Sequence, residues 1–171
     1  MIKIVDNFLP ESLHTRIQDL MTGANFPWYL VTGVTTSDDD NYYFIHNLFG
    51  CTTKGVESPF FSEFEILLHF IEDKLKFQTD KLLRIKCNMY TNQNINLSHD
   101  SHTDHRFPHY TAIYYVNSNN GPTTIGDQAV DSVANRLVLF DGLTLHNSNL
   151  QTDSTSRVNI NLNMQGKFLT T

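Results

Sequence analysis

The sequence predicts a mainly β chain of the α+β class, a sandwich or barrel of short strands with two N-terminal helices laid against one sheet. Three observations carry that expectation. From Lys81 onward, short apolar segments follow one another, separated by Asn-Asn-Gly-Pro, Asp-Gly and Ser/Thr-rich turn signals. In the first 80 residues, two segments instead repeat their apolar residues at the three-and-four spacing of a buried helical face. Finally, 171 residues with 40% hydrophobic and 12% aromatic content suffice for one domain over 1–171 with a real core. Residues 1–80 read as its helical support region and 81–168 as its β core. No repeat, low-complexity tract or linker interrupts it.

Taken in order, Ile2 to Val5 reads as a strand and Asp6 to Pro10 as a turn into a helix. Leu13, Ile17, Leu20 and Met21 give that helix its apolar stripe, and Gly23 ends it. Phe26 to Leu30, interrupted by Pro27, is extended or irregular. Thr32 to Asn41 is a polar loop with three consecutive aspartates. It lacks the spaced ligands and closing Glu of a calcium loop, so it reads as solvated, and its stretch from Thr36 onward as a candidate lid. Tyr42 to Phe49 follows as a strand. Ser58-Pro59 opens a second helix, with Ser in the capping place and proline at the first helical position. Phe60, Phe64, Leu67, Leu68, Ile71 and Leu75 form its buried stripe, which runs through to Lys76 and braces the back of a sheet. Strands are then expected at 82–90, 110–116, 123–125, 136–140, 143–146 and 157–164. In the last, Val158, Ile160, Leu162 and Met164 alternate with Asn159, Asn161 and Asn163.

A net charge of -6 argues against duplex nucleic acid or anionic membrane as the main partner, since both call for clustered cations. Cys51 and Cys87 make no metal-type spacing and are expected to be reduced. No basic-then-apolar leader and no apolar run of about 20 residues is present, so the expected setting is soluble and cytoplasmic.

The stretch SHDSHTDHRFPHYTAIYYVN, residues 98–117, carries the chemistry. On an extended chain, His102 and Asp104 project from one face with Thr103 turned away. One imidazole and one carboxylate supply two metal ligands, and His146 is placed as the third. Two nitrogens and a carboxylate on one side of a metal leave positions open, which suits ferrous iron. A zinc hydrolase can use the same residue types, so the ligands alone leave the chemistry open. Arg157, eleven residues beyond His146, favours iron: a guanidinium inside a barrel mouth needs an anion, and a forked pairing with a dicarboxylate supplies one. Tyr115 and Tyr90 are neutral donors placed beside it.

The order His102-Thr103-Asp104, TAIYYVN, NNGPTT, RLVLFDG, His146, Arg157 resembles the iron(II)- and 2-oxoglutarate-dependent dioxygenases. The similar branch is the prolyl 4-hydroxylase-like group, including short members found in marine phages. The resemblance spans roughly residues 81–165. It implies a double-stranded β-helix, or jelly roll, with Fe(II) held at its open end by His102, Asp104 and His146. Arg157 would bind the distal carboxylate of 2-oxoglutarate, helped by Tyr115 and Tyr90. Dioxygen is the implied oxidant and ascorbate a further candidate cofactor. Co-substrate cleavage to succinate and carbon dioxide would drive hydroxylation of an aliphatic C–H, with a prolyl residue of a peptide or protein as the expected target. The family's usual Gly-Gly-x-Thr turn is replaced here by Asn120-Gly121-Pro122-Thr123-Thr124, which reshapes the rim.

His99, His105 and His109 read as core or surface residues, and Pro108 disfavours a helical zinc pair from the latter two. Arg136 is the rival anion anchor but reads as a turn residue on the outer face. Asp141-Gly142 reads as a tight turn, and Asp127 and Asp131 as rim residues. Alternative functions are the same oxygenase chemistry on a small metabolite or nucleobase, and a non-catalytic metal-binding jelly-roll module. The acidity of the 36–41 stretch points to a substrate with some positive charge.

Overall fold

The computed structural model describes residues 1–33 and 42–169. The order is β1 (Ile2–Val5), α1 (Glu11–Thr22), β2 (Tyr29–Thr32), β3 (Tyr42–Phe49), α2 (Phe61–Phe64), α3 (Ile66–Leu75), β4 (Phe77–Thr91), β5 (Tyr110–Tyr115), β6 (Asn119–Ile125), β7 (Gln128–Ser132), β8 (Arg136–Asp141), β9 (His146–Ser148) and β10 (Ser156–Phe168). The strands form two antiparallel sheets, one of seven strands ordered β1-β8-β5-β10-β4-β3-β2 and one of three ordered β7-β6-β9. Isolated bridges Ser98↔Asn149 and His102↔His146 lay the 98–102 segment beside β9, completing the smaller layer. The result is a jelly roll with helices on one outer face.

The alternation in β10 decides which face goes where. Val158, Ile160, Leu162 and Met164 enter the core that α1 and α3 close with Ile17, Met21, Leu67 and Ile71. Asn159, Asn161 and Asn163 therefore face the space between the sheets. A second core of Ile113, Tyr115, Val138 and Phe140 against Ile125 and Val130 joins the two sheets.

Several expectations are corrected. The second helix divides at Glu65, where the Leu68 amide bonds back three residues to the Glu65 carbonyl and tightens the turn. The expected Ser58 cap and Pro59 start are also displaced: α2 begins at Phe61 behind Phe60 with no side-chain cap, and Ser58 Oγ instead accepts from the Phe60 amide at 3.1 Å in the turn before it. Lys76 is the left-handed C-cap, not part of the helix. Gly23 ends α1 in extended backbone; a Cβ there would sit 2.7 Å from the Asp19 carbonyl oxygen. Asn119 to Pro122 belongs to β6, with a register irregularity before Thr123, and the chain reverses instead at Gly126 (φ +60). Strand β7 has only two apolar residues, too few for its alternation to show in sequence. Residues 143–145 turn rather than extend, because the Asp141 carboxylate takes the Leu143 amide at 3.0 Å, so β9 begins at His146. The 36–41 stretch lies outside the described residues. Both cysteines are free thiols, and no described helix is long and apolar enough to cross a membrane.

Candidate metal centre

His102 and His146 face each other across an antiparallel bridge, each backbone amide donating to the other's carbonyl at 3.0 Å. Backbone pairing, rather than a long strand, sets their separation: past His102 the chain bends, so the expected extended His-x-Asp run is confined to one bridge. The bend still brings Asp104 to the same point. One ligand atom from each of His102, Asp104 and His146 lies within 4.8 Å of the others. His102 Nε2 is 4.0 Å from Asp104 Oδ1, and His146 Nε2 is 3.7 Å from Oδ2. Adjacent ligands of an octahedral ion with bonds of ~2.1 Å sit about 3 Å apart, so a modest contraction closes the triad on a cation.

The protonation pattern suits such an ion. His102 Nδ1 lies 3.3 Å from the Asp100 carbonyl and His146 Nδ1 3.0 Å from that of Thr144. A carbonyl only accepts, so each Nδ1 carries the hydrogen and each Nε2 lone pair points inward. His146 Nε2 is buried without a hydrogen-bond partner, a cost that ligation removes. Burial pulls the His146 imidazole below its usual range, against the opposing pull of Asp104, which favours the neutral ligand form.

Asp104 is the most heavily supported member. Burial would raise its carboxyl, but Arg84, then His146 and Asn163, hold it far below the usual carboxylate range. Arg84 donates to Oδ1 at 2.5 Å, while Asn163 and Asn161 donate to Oδ2 at 2.9 and 3.3 Å. Sequence reasoning missed Arg84, Asn161 and Asn163. The signal was present as two matching alternations, because β4 and β10 pair Tyr90 with Arg157, Asn88 with Asn159, Lys86 with Asn161 and Arg84 with Asn163. Every one of these polar side chains faces the interior.

Arg157 is among the largest fully buried side chains. Its Nε donates to the Gly121 carbonyl at 2.9 Å and one terminal nitrogen to Thr123 Oγ1 at 2.8 Å. The rings of Tyr90 and Tyr115 lie 5.5 and 5.9 Å from its central carbon. Among the described residues, no carboxylate lies within 4.0 Å of it. Tyr115 also donates to Thr123 Oγ1, at 2.8 Å, so Thr123 accepts twice and turns its own hydrogen elsewhere. Thr123, unlike Tyr115, lines the cleft that also holds Tyr90, Arg157 and the triad. Gly121 is required here by close approach: a Cβ would meet the Asn149 carbonyl oxygen at 2.6 Å and Arg157 Cδ at 3.1 Å. Arg136 is occupied elsewhere, forked onto Asp6 at 2.5 and 3.0 Å.

No protein-family model and no curated protein matches the sequence. Solved structures do match the fold. A 2OG-Fe(II) oxygenase-family oxidoreductase from Burkholderia pseudomallei superposes with a TM-score of 0.71 at 11% identity, over 96% of this chain and 84% of that one. The fold is that of the 2-oxoglutarate- and iron-dependent oxygenases. A prolyl hydroxylase from Trichoplax adhaerens, in complex with a hypoxia inducible factor peptide fragment, shares this oxygenase fold at TM-score 0.62 and 17% identity, over 95% and 82% of the chains. So does HygX from Streptomyces hygroscopicus, with nickel, 2-oxoglutarate and hygromycin B bound, at TM-score 0.63 and 10% identity, over 99% and 84%.

Proposed function

We propose that this chain is an iron(II)- and 2-oxoglutarate-dependent dioxygenase that hydroxylates an aliphatic C–H, with a prolyl residue of a peptide or protein as substrate. One observation carries the reading. Two imidazole nitrogens and an ionised carboxylate, with the His146 and Asp104 side chains nearly buried, share a cleft with a buried guanidinium that has no acidic partner among the described residues. An unpaired buried cation is costly, and a dicarboxylate reaching from metal to guanidinium relieves both halves of the site.

In this reading His102 and His146 hold the ion through Nε2, their Nδ1 hydrogens fixed by backbone carbonyls. Asp104 binds as an anion that Arg84 and the two asparagines keep oriented. Arg157 forks onto the distal carboxylate of 2-oxoglutarate, and Thr123, steadied by Tyr115, donates its hydroxyl hydrogen to the same group. When bound, ferrous iron supplies oxygen activation coupled to cleavage of 2-oxoglutarate into succinate and carbon dioxide, and thereby hydroxylation. Tyr90 and Ile113 line the cleft and the Phe140 ring lies 5.0 Å from that of His146, so apolar surface restricts water around the site.

The prolyl substrate is supported by the likeness to a peptide-bound prolyl hydroxylase. The same chemistry on a small molecule is the second reading, supported by the antibiotic in HygX. Calorimetric titration of 2-oxoglutarate into zinc-loaded protein, followed by succinate assay with ferrous iron, tests the central claim. Saturable binding and iron-dependent succinate are expected; absence of both overturns the assignment. His102→Ala should abolish turnover. Arg157→Ala should raise the 2-oxoglutarate requirement by roughly ten- to a hundredfold, the worth of a charge-assisted pair at about 1.5–3 kcal/mol. Mass spectrometry of proline-rich peptides after incubation separates the two substrate readings by whether proline gains one oxygen.

A further inference from the structure

Along the interior face of β4, three side chains have their roles assigned. Tyr90 flanks Arg157, Asn88 donates between strands to Asn159 at 3.0 Å, and Arg84 holds Asp104. Lys86 is left over. It lines the same cleft as the triad, half-buried, yet among the described residues its ammonium makes no hydrogen bond or ion pair. Its one close neighbour of note is the Tyr43 ring, 5.6 Å from Nζ.

A half-buried lysine without an anion is a standing cost, since desolvation opposes its charge. Burial, with the like charge of Arg84 adding to it and Asp104 opposing, draws the amine down to about 8. Asp104 does not answer the charge, being held already by Arg84, Asn161 and Asn163. The wall around Lys86 is polar as well. Asn161 lies directly across from it on β10 and Asn47 on β3, and each has a buried carboxamide oxygen without a partner. Asn161 is fixed with its Nδ2 toward the Asp104 carboxylate, whereas the Asn47 amide, whose O and N are exchangeable in assignment, can present either a donor or an acceptor to a ligand.

We propose that Lys86 is a specificity-determining residue, its ammonium binding an oxyanion, a carboxylate or phosphate monoester, carried by the primary substrate. The inference rests on the dioxygenase reading above, and a count of charges then isolates Lys86. 2-Oxoglutarate has two carboxylates; Arg157 takes one and the metal the other. Lys86 lies four residues along β4 from Tyr90, roughly 13 Å from the Arg157 end of the cleft, so the anion it faces is a third one. The described wall is thus opposite in sign to what the acidic 36–41 stretch suggested, and it selects for an acid close to the reacting carbon. The Asn47 carboxamide, turned to present its Nδ2, supplies a neutral hydrogen bond that a planar carboxylate or a phosphate also requires.

Binding to zinc- and 2-oxoglutarate-loaded protein, measured by calorimetry, tests this with matched probes. N-acetyl-L-proline is compared with its primary amide, a Glu-Pro peptide with its Gln-Pro counterpart, and phosphoserine with serine. These arms separate a free acid, a peptide-borne side chain and a phosphate as the source of the oxyanion. At least one acid should bind about tenfold tighter than its neutral partner. That preference should vanish in Lys86→Met and Lys86→Gln, persist in Lys86→Arg, and leave 2-oxoglutarate affinity unchanged in all three. Equal or absent binding across every pair overturns the proposal. So does a preference that survives both neutral variants, or a tenfold loss of 2-oxoglutarate affinity on removing the charge. Wild-type protein that fails to take 2-oxoglutarate defeats the dioxygenase reading itself, whereas one that takes it without preferring acids defeats only the role of Lys86.

Discussion

Arg84 shows how much of the site depends on a residue outside the triad. Its guanidinium compensates a nearly buried carboxylate, with the Arg84 side chain 17% and the Asp104 side chain 6% exposed. Removing one partner of such a pair leaves an uncompensated charge, at about 3–5 kcal/mol. Arg84→Gln should therefore lower the stability of the metal-free protein by up to that amount in urea titrations. A divalent ion brings its own compensation, so added zinc should restore more stability to the variant than it adds to the wild type. Equal metal-induced gains would show that Arg84 is not neutralising Asp104. That His102, Asp104 and His146 would come together was legible in sequence, because ligand-type residues in that order carry a chemical meaning. Arg84, Thr123 and Asn163 were not, because a polar residue on a strand has no meaning until the partner strand's register is known. The register that pairs Arg84 with Asn163 depends on the 78 intervening residues folding back.

Among the elements, the first helix is tied to the sheet by a buried polar latch. Asn135, left-handed at φ +59, takes the Leu9 amide on Oδ1 at 2.8 Å and gives Nδ2 to the Leu9 carbonyl at 2.9 Å. Tyr114 donates to the same Oδ1 at 3.1 Å and so accepts from His14 Nδ1, 2.7 Å away on α1. Asn135→Ala loses these bonds and the tolerance for left-handed backbone, and should cost about 2–4 kcal/mol by chemical denaturation. Burial depresses the His14 imidazole, with Glu11 opposing. The folded state thus favours neutral His14 while the unfolded chain protonates near pH 6.5. The sign follows: the penalty is absent above that value and grows as pH falls through it toward the folded value. Wild type should lose more stability than His14→Gln between pH 7.5 and 5.5, and equal losses would remove His14 from the latch. None of this was visible in the sequence, where nothing in the pattern around His14 or Asn135 names a partner. Strands β1, β3, β5, β8 and β10 and both main helices were legible, because each has a long apolar period. Strands β7 and β9 were not, the first for want of apolar residues and the second because an aspartate side chain diverts the residues before it.

For the molecule as a whole, the metal and the co-substrate should act as folding ligands. In the proposed function both sit between sheets whose shared core is small, and whatever binds only the folded state stabilises it by mass action. Saturation at a hundred times the dissociation constant should raise stability by about 2.7 kcal/mol, and chelation should remove that gain. An unchanged unfolding midpoint with and without metal would mean that the triad closes on nothing. The layering also constrains how such a protein can vary over time. Central strand β10 separates helices from cleft, giving apolar residues to one side and asparagines to the other. An inserted or deleted codon between Ser156 and Asn163 would exchange the two sides together, sending amides under the helices and methyl groups toward the cation. The register irregularities of this strand fall only after Asn163. Length changes among descendants of this sequence should accordingly collect in the tail of β10, while the stretch that serves chemistry keeps its residue count.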